Sequence, residues 1–304
     1  MALRQGRFLL LEMLCIFRFF SVWPLAALHW LGGALGWAVW ALNPKYRAQF
    51  RSNVAQAGLD FALAKPAIAE AGRLVTELPK LWLRPHQPPC LQNSKMGVTL
   101  HGSDFANHAF SRGKGVIFFG AHCGCFELMP QLLAEVFGPV HGNLTAIYRP
   151  ARQAGLAAVE LATRQRPYLT VLPGSLSAIR AMHKALKANQ AVAMLTDQVP
   201  PEGLGVWSPF FGKPAYTMTL AARLALQSGA ALVPVVCNRL PKGAGYVVSI
   251  LLPLDCLQAE HLDTARLGVD AVVEQINQSV EAMVRRNPGQ YLWGYGRYKT
   301  PRSA

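Results

Sequence analysis

Charged residues, and acidic ones above all, are scarce in this 304-residue chain. They make up 15% of it against 52% hydrophobic residues, and 30 Lys and Arg outnumber 16 Asp and Glu. The formal net charge is therefore +14, and the mean hydropathy is +0.20. So few charges indicate contact with a membrane. The basic excess predicts an anionic partner: nucleic acid, phospholipid headgroups, a phosphorylated substrate or an acidic carrier protein.

The aromatic pattern of a nucleic-acid surface is lacking as well. Such a surface interleaves aromatic with basic residues. Here a group of aromatic residues lies together in the apolar N-terminal region: Phe17, Phe19, Phe20, Trp23, Trp30, Trp37 and Trp40. We therefore expect no nucleic acid among the partners.

The chain has no disulfide framework, no internal repeat and no low-complexity linker. Its six cysteines are scattered without a framework spacing, and a chain of this length does not need covalent cross-links to fold. We predict reduced thiols and an organisation of one N-terminal segment followed by one large domain.

One long run without Asp, Glu, Lys or Arg lies near the N-terminus, at residues 19–42. A run of that length can cross a membrane as a helix, so residues 1–45 are predicted to be a membrane-anchoring segment. Pro24 and three glycines leave a kinked, re-entrant or interfacial arrangement open beside a straight span. Basic residues flank both sides and give no orientation. A cleaved signal peptide is disfavoured because the run is longer than such a peptide requires.

Residues 46–304 are predicted to form an α/β domain with a mostly parallel sheet flanked by helices, because short apolar runs alternate with helical stretches. The predicted strands are 116–121, 144–148, 169–172, 191–196, 231–237 and 246–252. The predicted helices are 127–136, 151–162, 176–187, 217–227 and 264–285.

The motif that runs from Gly120 to Glu127 places a histidine directly after the first of these strands. In an open parallel sheet, ligand-handling groups gather at the carboxyl ends of strands, and His122 falls there. A tight turn at Gly124 lets Glu127 face the ring. A histidine held by a carboxylate is a workable general base, which we predict for this pair. The alternative is a helix-capping histidine beside a glutamate favoured by the helix dipole.

Two cysteines in the same motif open other possibilities. Cys123 and Cys125 flank Gly124, so a cysteine–histidine acyl-enzyme or a zinc site remains an alternative. The His122–Glu127 pair already supplies a base for direct attack, and zinc requires more ligands than this cluster has. We predict neither a metal nor a cysteine nucleophile.

Four arginines are candidates for binding a phosphate or a developing oxyanion: Arg149, Arg164, Arg166 and, more weakly, Arg223. The alternative for them is a solvated basic face. Asp197 and Gln198 end a strand at the predicted edge of the sheet and are candidates for orienting an arginine or the acceptor. Phe210 and Phe211 offer an apolar wall for an acyl chain, with an ordinary hydrophobic loop as the alternative.

A further aromatic and basic cluster lies near the C-terminus, at Trp293, Tyr295, Arg297, Tyr298 and Lys299. It suits a membrane interface, with a packed C-terminal tail as the competing account.

Several short fragments follow the histidine motif in a fixed order: residues 148–150 (Tyr-Arg-Pro), 196–198 (Thr-Asp-Gln) and 205–215. Together they resemble the bacterial lipid A late acyltransferases, within the wider lysophospholipid acyltransferase group. The resemblance implies His122 and Glu127 as the catalytic pair, and no metal or organic cofactor. It implies acyl transfer from a thioester, usually on acyl carrier protein, to a hydroxyl of a phosphorylated glycolipid at the cytoplasmic face of the bacterial inner membrane.

Some positions depart from that family's pattern. Cys125 and Phe126 replace its usual Asn and Trp, and Tyr295 and Gly296 replace its usual His and Arg. These changes leave open another acceptor, such as an ornithine lipid. A hydrolase of acyl thioesters and a non-catalytic lipid-binding protein remain the alternatives from other functional classes.

Overall fold

The computed structural model describes residues 2–84, 91, 96–148, 150–151, 153–252 and 268–303. The helices are α1 (Ala2–Ser21), α2 (Leu25–Leu42), α3 (Pro44–Gln56), α4 (Phe61–Ala64), α5 (Ala67–Trp82), α6 (Ser103–Ser111), α7 (Met129–His141), α8 (Ala154–Thr163), α9 (Leu176–Lys187), α10 (Leu220–Ser228) and α11 (Val269–Arg286). The strands are β1 (Val98–His101), β2 (Val116–Gly120), β3 (Leu144–Tyr148), β4 (Leu169–Pro173), β5 (Ala191–Leu195), β6 (Gly205–Phe210), β7 (Lys213–Met218), β8 (Ala231–Arg239) and β9 (Tyr246–Ile250).

A seven-stranded sheet forms the centre of the fold, in the order β1-β9-β8-β2-β5-β3-β4. Its neighbours pair in parallel except for β8 and β9, which are antiparallel. The predicted α/β class with a mostly parallel sheet is confirmed, and each of the six predicted strands is present.

Helices cover both faces of the sheet, as the burial of β2 illustrates. Successive side chains of a strand point to opposite faces. Ile117 and Phe119 belong to one buried hydrophobic cluster, whereas Val116 and Phe118 belong to another. A strand buried on both faces reads as a continuous apolar run, which is why the sequence identified it.

The helix boundaries differ from the predictions in specific places. The interval 176–187 coincides with α9, where the Ser175 hydroxyl caps the helix by accepting from the Ala178 amide at 3.2 Å. The predicted helix 217–227 begins too early, because Thr217 lies in β7. The predicted start at 264 lies outside the described residues, and α11 ends at Arg286.

The sequence analysis missed β1 and the β6–β7 hairpin. Pro209 and Pro214 face each other in the hairpin, and proline inside a run argues against a strand. The two-residue turn between the strands has positive φ at Phe211 (48°) and Gly212 (73°), as hairpin turns of this length prefer.

The N-terminal region is broken into two helices at Pro24 rather than forming one straight helix. α2 is long and apolar enough to cross a membrane by length and composition. One of its faces packs closely on α5, where a side chain on Gly36 or Gly72 would overlap the backbone of the facing helix. Trp30, by contrast, is 76% exposed. The chain is therefore kinked at Pro24, which is one of the arrangements that the sequence left open, and α2 packs on the domain along a glycine face.

A buried polar cluster joins α2 to the domain. His29 on α2 contacts the Glu77 carboxylate on α5 at 3.1 Å, and Arg239 on β8 binds Glu77 and Glu70. The Tyr246 hydroxyl also donates to Glu77, at 3.0 Å. Although burial alone raises the pKa of Glu77, the charge of Arg239 and the hydrogen bonds from His29 and Arg239 lower it to about 2. Glu77 is therefore an ionised carboxylate between α2 and the sheet.

Candidate active site

His122 lies two residues beyond β2, at the carboxyl edge of the sheet. The turn that follows requires Gly124, whose φ is 57° and where a Cβ would overlap the Cys237 carbonyl. The predicted tight turn is therefore confirmed. Two hydrogen bonds from the C-terminal segment hold the same backbone, because the Leu292 amide donates to the His122 carbonyl at 3.0 Å and Gly124 donates to Gln290 at 2.8 Å.

Asp197 is the carboxylate that holds the His122 ring. His122 Nδ1 lies 2.7 Å from Asp197 Oδ1, and the His122 amide donates to Oδ2 at 3.0 Å. Asp197 follows β5, the sheet neighbour of β2, so the two residues meet at one edge. Burial raises the pKa of Asp197, but the charge of His122 and the hydrogen bonds from His122 outweigh it and lower that pKa below its usual value. An ionised Asp197 only accepts, so Nδ1 carries a proton, and in the neutral ring Nε2 is the nitrogen with the lone pair.

Glu127 does not orient the ring, which corrects that part of the sequence analysis. It lies in the turn before α7, and its carboxylate accepts from Trp82 Nε1 at 3.2 Å and from Arg164 Nη2 at 2.8 Å. The Glu127 carboxylate binds the Arg164 guanidinium, whereas the Asp197 carboxylate binds the His122 imidazole. A catalytic role for Glu127 stays a prediction.

The structure brings Arg164 to the site through Glu127. Its guanidinium lies 4.9 Å from the centre of the Trp82 ring and 4.7 Å from that of Tyr148. Glu160 lies 3.5 Å away on the preceding turn of α8. The buried Nε of Arg164 has no hydrogen-bond partner in the described part of the chain. Arg164 is therefore a cation held rigidly beside the motif, with one unsatisfied donor.

Arg166 has a structural role instead of the predicted substrate contact. Its guanidinium donates to the carbonyls of Leu81, Trp82 and Arg84 at 2.7 to 2.9 Å, where α5 ends. These carbonyls have no partner within the helix, which explains why a cation binds there. Burial, with the nearby charge of Arg84, lowers the pKa of Arg166 to about 10.

Among the described residues, the other predicted binding residues form no hydrogen bond or ring contact with His122. Phe210 and Phe211 belong to the hydrophobic core, and the Phe211 amide donates to Glu281 on α11 at 2.7 Å. Their role as an apolar wall for an acyl chain stays a prediction. Arg223 lies on the exposed face of α10 and donates through Nε to the Thr219 hydroxyl at 3.0 Å. Arg149 lies outside the described residues.

Gln198 contacts the nitrogen of His122 that faces away from Asp197. Its Nε2 lies 3.0 Å from His122 Nε2. Because Nε2 of the ring is the unprotonated nitrogen, the amide is the donor. The edge of the Phe126 ring packs against the imidazole, with centroids 4.6 Å apart. The His122 side chain is 16% exposed, so its ring can be reached from solvent.

The sequence analysis missed the contribution of the C-terminal segment. Trp293 and Arg297 are each 2% exposed, so the packed-tail account is correct and the membrane-interface account is wrong. The Tyr295 hydroxyl accepts from the Val199 amide at 2.9 Å, next to Gln198. Burial raises the pKa of Tyr291 well above its usual value, and a hydrogen bond to Asp197 raises it further. This segment therefore supports the loop that carries Asp197 and Gln198.

The cysteines beside His122 are buried thiols. Cys123 and Cys125 are both fully buried. Burial raises the pKa of Cys123 to about 12 and that of Cys125 well above its usual value. A thiolate is the reactive form of cysteine, so neither residue is an available nucleophile near neutral pH. The arrangement can therefore activate an incoming hydroxyl or water by removing its proton.

Several known proteins are similar to this chain in sequence. The chain is 30% identical over 200 residues to the lipid A biosynthesis lauroyltransferase of Escherichia coli, covering 66% of this chain and 61% of that protein. It is 27% identical over 188 residues to the lipid A biosynthesis acyltransferase of Haemophilus influenzae, covering 61% and 56%. It is 23% identical over 210 residues to a phosphatidylinositol mannoside acyltransferase of Mycobacterium tuberculosis, covering 67% and 63%. Each match thus spans less than two thirds of the relative.

The family described as bacterial lipid A biosynthesis acyltransferase matches residues 8–300. That match covers nearly the whole chain, including the His122 motif and the C-terminal segment that supports it. The chain belongs to the bacterial lipid A biosynthesis acyltransferase family.

Proposed function

We propose that this protein is an O-acyltransferase that moves a fatty acyl group from an acyl thioester to a hydroxyl of a lipid. The single observation that carries the proposal is the His122–Asp197 pair, in which Nδ1 lies 2.7 Å from the carboxylate and Nε2 is the other ring nitrogen. Such a pair activates an external hydroxyl, and the neighbouring thiols are too weakly acidic to replace it.

In the proposed reaction, His122 Nε2 removes the proton of the acceptor hydroxyl while the hydroxyl oxygen attacks the carbonyl carbon of the thioester. An arginine or backbone N–H groups hold the oxyanion that forms. The C–S bond then breaks, and the departing sulfur takes the proton back from the imidazolium. An ester and a free thiol result. Asp197 stays ionised and stabilises the charged ring, and no protein nucleophile is needed.

Acyl carrier protein is the proposed donor, and the proposed acceptor is a lipid A precursor or a related glycolipid. The relatives are named as a lauroyltransferase of lipid A biosynthesis and as a phosphatidylinositol mannoside acyltransferase. A basic chain of net charge +14 suits an acidic carrier and a phosphorylated acceptor. An ornithine lipid remains the alternative acceptor, because Cys125, Phe126, Tyr295 and Gly296 depart from the usual pattern of the family.

The proposed location is the bacterial inner membrane, with residues 1–45 as the membrane-anchoring segment and residues 46–304 as the catalytic domain on the cytoplasmic side. Apolar side chains remain exposed on the first two helices, including Phe19 at 59%, Trp30 at 76% and Leu42 at 83%. Because the other face of α2 packs on α5, we favour a helix lying in an anionic membrane surface over one that crosses it.

The test is transfer of a radiolabelled acyl group from acyl carrier protein into extractable lipid, using purified protein in detergent with host lipids. Wild type is compared with His122→Ala and with the control Gln56→Ala, whose amide donates to the Phe211 carbonyl. We expect a labelled lipid that disappears only in His122→Ala. Release of free fatty acid alone would favour a thioester hydrolase, and a biological effect that survives His122→Ala would favour a lipid-binding protein.

A further inference from the structure

The nitrogen that should act as the base is already occupied in the structure. His122 Nε2 accepts from the Gln198 amide at 3.0 Å, while Nδ1 is held by Asp197. Nε2 of a neutral imidazole has one lone pair, which lies in the plane of the ring and accepts one strong hydrogen bond. A water molecule cannot donate its proton to that lone pair while Gln198 holds it.

Gln198 is well placed to release the ring. Its neighbours are fixed, because Asp197 is bound to His122 and the Val199 amide donates to the Tyr295 hydroxyl at 2.9 Å. Gln198 itself is only partly buried. The described contacts therefore fix the backbone on both sides of Gln198, while its partly buried side chain contacts His122.

We infer that Gln198 caps the catalytic base until an acceptor lipid displaces its amide, so that the acyl thioester is transferred to the lipid and protected from hydrolysis. This inference rests on the proposed function. The amide nitrogen marks the place of the acceptor oxygen, within hydrogen-bond distance of Nε2. An acceptor lipid bound to the protein through its other groups presents its hydroxyl to Nε2 at a high effective concentration, so it displaces the amide more readily than a water molecule without such contacts.

Both competing reactions use the same base and the same thioester. Transfer gives an ester and a thiol, and hydrolysis gives a carboxylic acid and a thiol. In each, Nε2 takes one proton from the attacking oxygen and returns it to the leaving sulfur. The difference lies in whether the oxygen can reach Nε2, which makes Gln198 a specificity-determining residue.

The first test needs no substrate. Diethyl pyrocarbonate acylates an unprotonated imidazole nitrogen, and with Nδ1 held by Asp197 only Nε2 of His122 is open to it. The extent of modification at His122 is followed by peptide mass spectrometry in wild type, Gln198→Ala, Gln198→Asn and the control Gln56→Ala. We expect about a five- to tenfold faster modification in both Gln198 variants, the size of one lost hydrogen bond. Unchanged rates in folded Gln198 variants would overturn the inference.

The second test measures hydrolysis of acyl–acyl carrier protein without any acceptor lipid. Gln198→Ala and Gln198→Asn should release free fatty acid about five- to tenfold faster than wild type, with Gln56→Ala unchanged. Equal hydrolysis rates in wild type, both Gln198 variants and Gln56→Ala would contradict the proposal that Gln198 caps His122 Nε2. The two tests separate the proposals: faster modification of His122 with no lipid product in wild type would refute the transferase and leave the contact with Gln198 intact.

Discussion

At the scale of single residues, the site depends on which groups are ionised. His122 and Asp197 form a charge-assisted pair, whereas Cys123 and Cys125 beside it are held as neutral thiols by burial. The same few residues of sequence thus contain an activated base and two inactive thiols. Burial raises the pKa values of the two thiols and so keeps them in the unreactive protonated form.

We expect Cys123→Ala and Cys125→Ala, made separately, to retain acyl transfer within about threefold of wild type. Loss of a catalytic nucleophile typically costs about a thousandfold or more, whereas loss of a buried thiol costs stability only. The measurement is the initial rate of lipid acylation, with thermal unfolding recorded for each variant. A folded Cys123→Ala or Cys125→Ala variant without activity would restore the acyl-enzyme alternative.

At the scale of helices and strands, the ion cluster around Glu77 links three elements of the fold. It connects α2 through His29, α5 through Glu77 itself, and β8 through Arg239. Removing one partner of a buried ion pair leaves the other charge uncompensated. The cluster should therefore contribute to stability in a pH-dependent way.

We expect Glu77→Gln to lower the free energy of unfolding by about 3–5 kcal/mol at pH 7. The pKa of Glu77 falls from 4.5 in a model peptide to about 2 in the fold, so its stabilisation is complete above pH 4.5 and is lost as the pH falls towards 2. Urea unfolding at several pH values measures the difference between wild type and Glu77→Gln. Glu202→Gln, at an exposed carboxylate, is the control. A difference that did not shrink in acid would contradict this account.

The packing of α2 on α5 makes a separate prediction. Gly36→Leu should lower the melting temperature of the detergent-solubilised protein by about 5 °C, which corresponds to roughly 3 kcal/mol of overpacking in a protein of this size, because the added side chain meets the backbone of Ile68. Leu35→Val, on the exposed side of the same helix, should change it little. If α2 left the domain to cross the membrane, both variants would unfold like wild type.

At the scale of the whole molecule, the sequence predicts what is local and misses what depends on strand order. The buried strands were predictable because each is a continuous apolar run, and the hairpin was not, because prolines interrupt it. Glu127 was chosen as the partner of His122 because it is near in sequence. Asp197 lies 75 residues away and reaches His122 only because β5 pairs with β2. No pattern in a single sequence gives that neighbour relation.

The roles of the C-terminal segment and of Arg166 were missed for the same reason. Trp293 and Arg297 read as surface residues because aromatic and basic side chains suit an interface, yet both are packed inside the fold. Arg166 was predicted to bind phosphate, whereas in the fold it donates to the backbone carbonyls at the end of α5. In both cases a distant segment, brought close by the fold, determines what a charged side chain contacts.

The central claim is that His122 acts as a base held by Asp197, and the most direct measurement compares Asp197→Asn with Glu127→Gln. We expect Asp197→Asn to lower kcat for acyl transfer by about a thousandfold with little change in KM, since the asparagine favours the wrong tautomer of the ring. Glu127→Gln should act mainly through Arg164 and change KM more than kcat. A fully active, folded Asp197→Asn protein, or a larger loss of kcat in Glu127→Gln, would contradict the account.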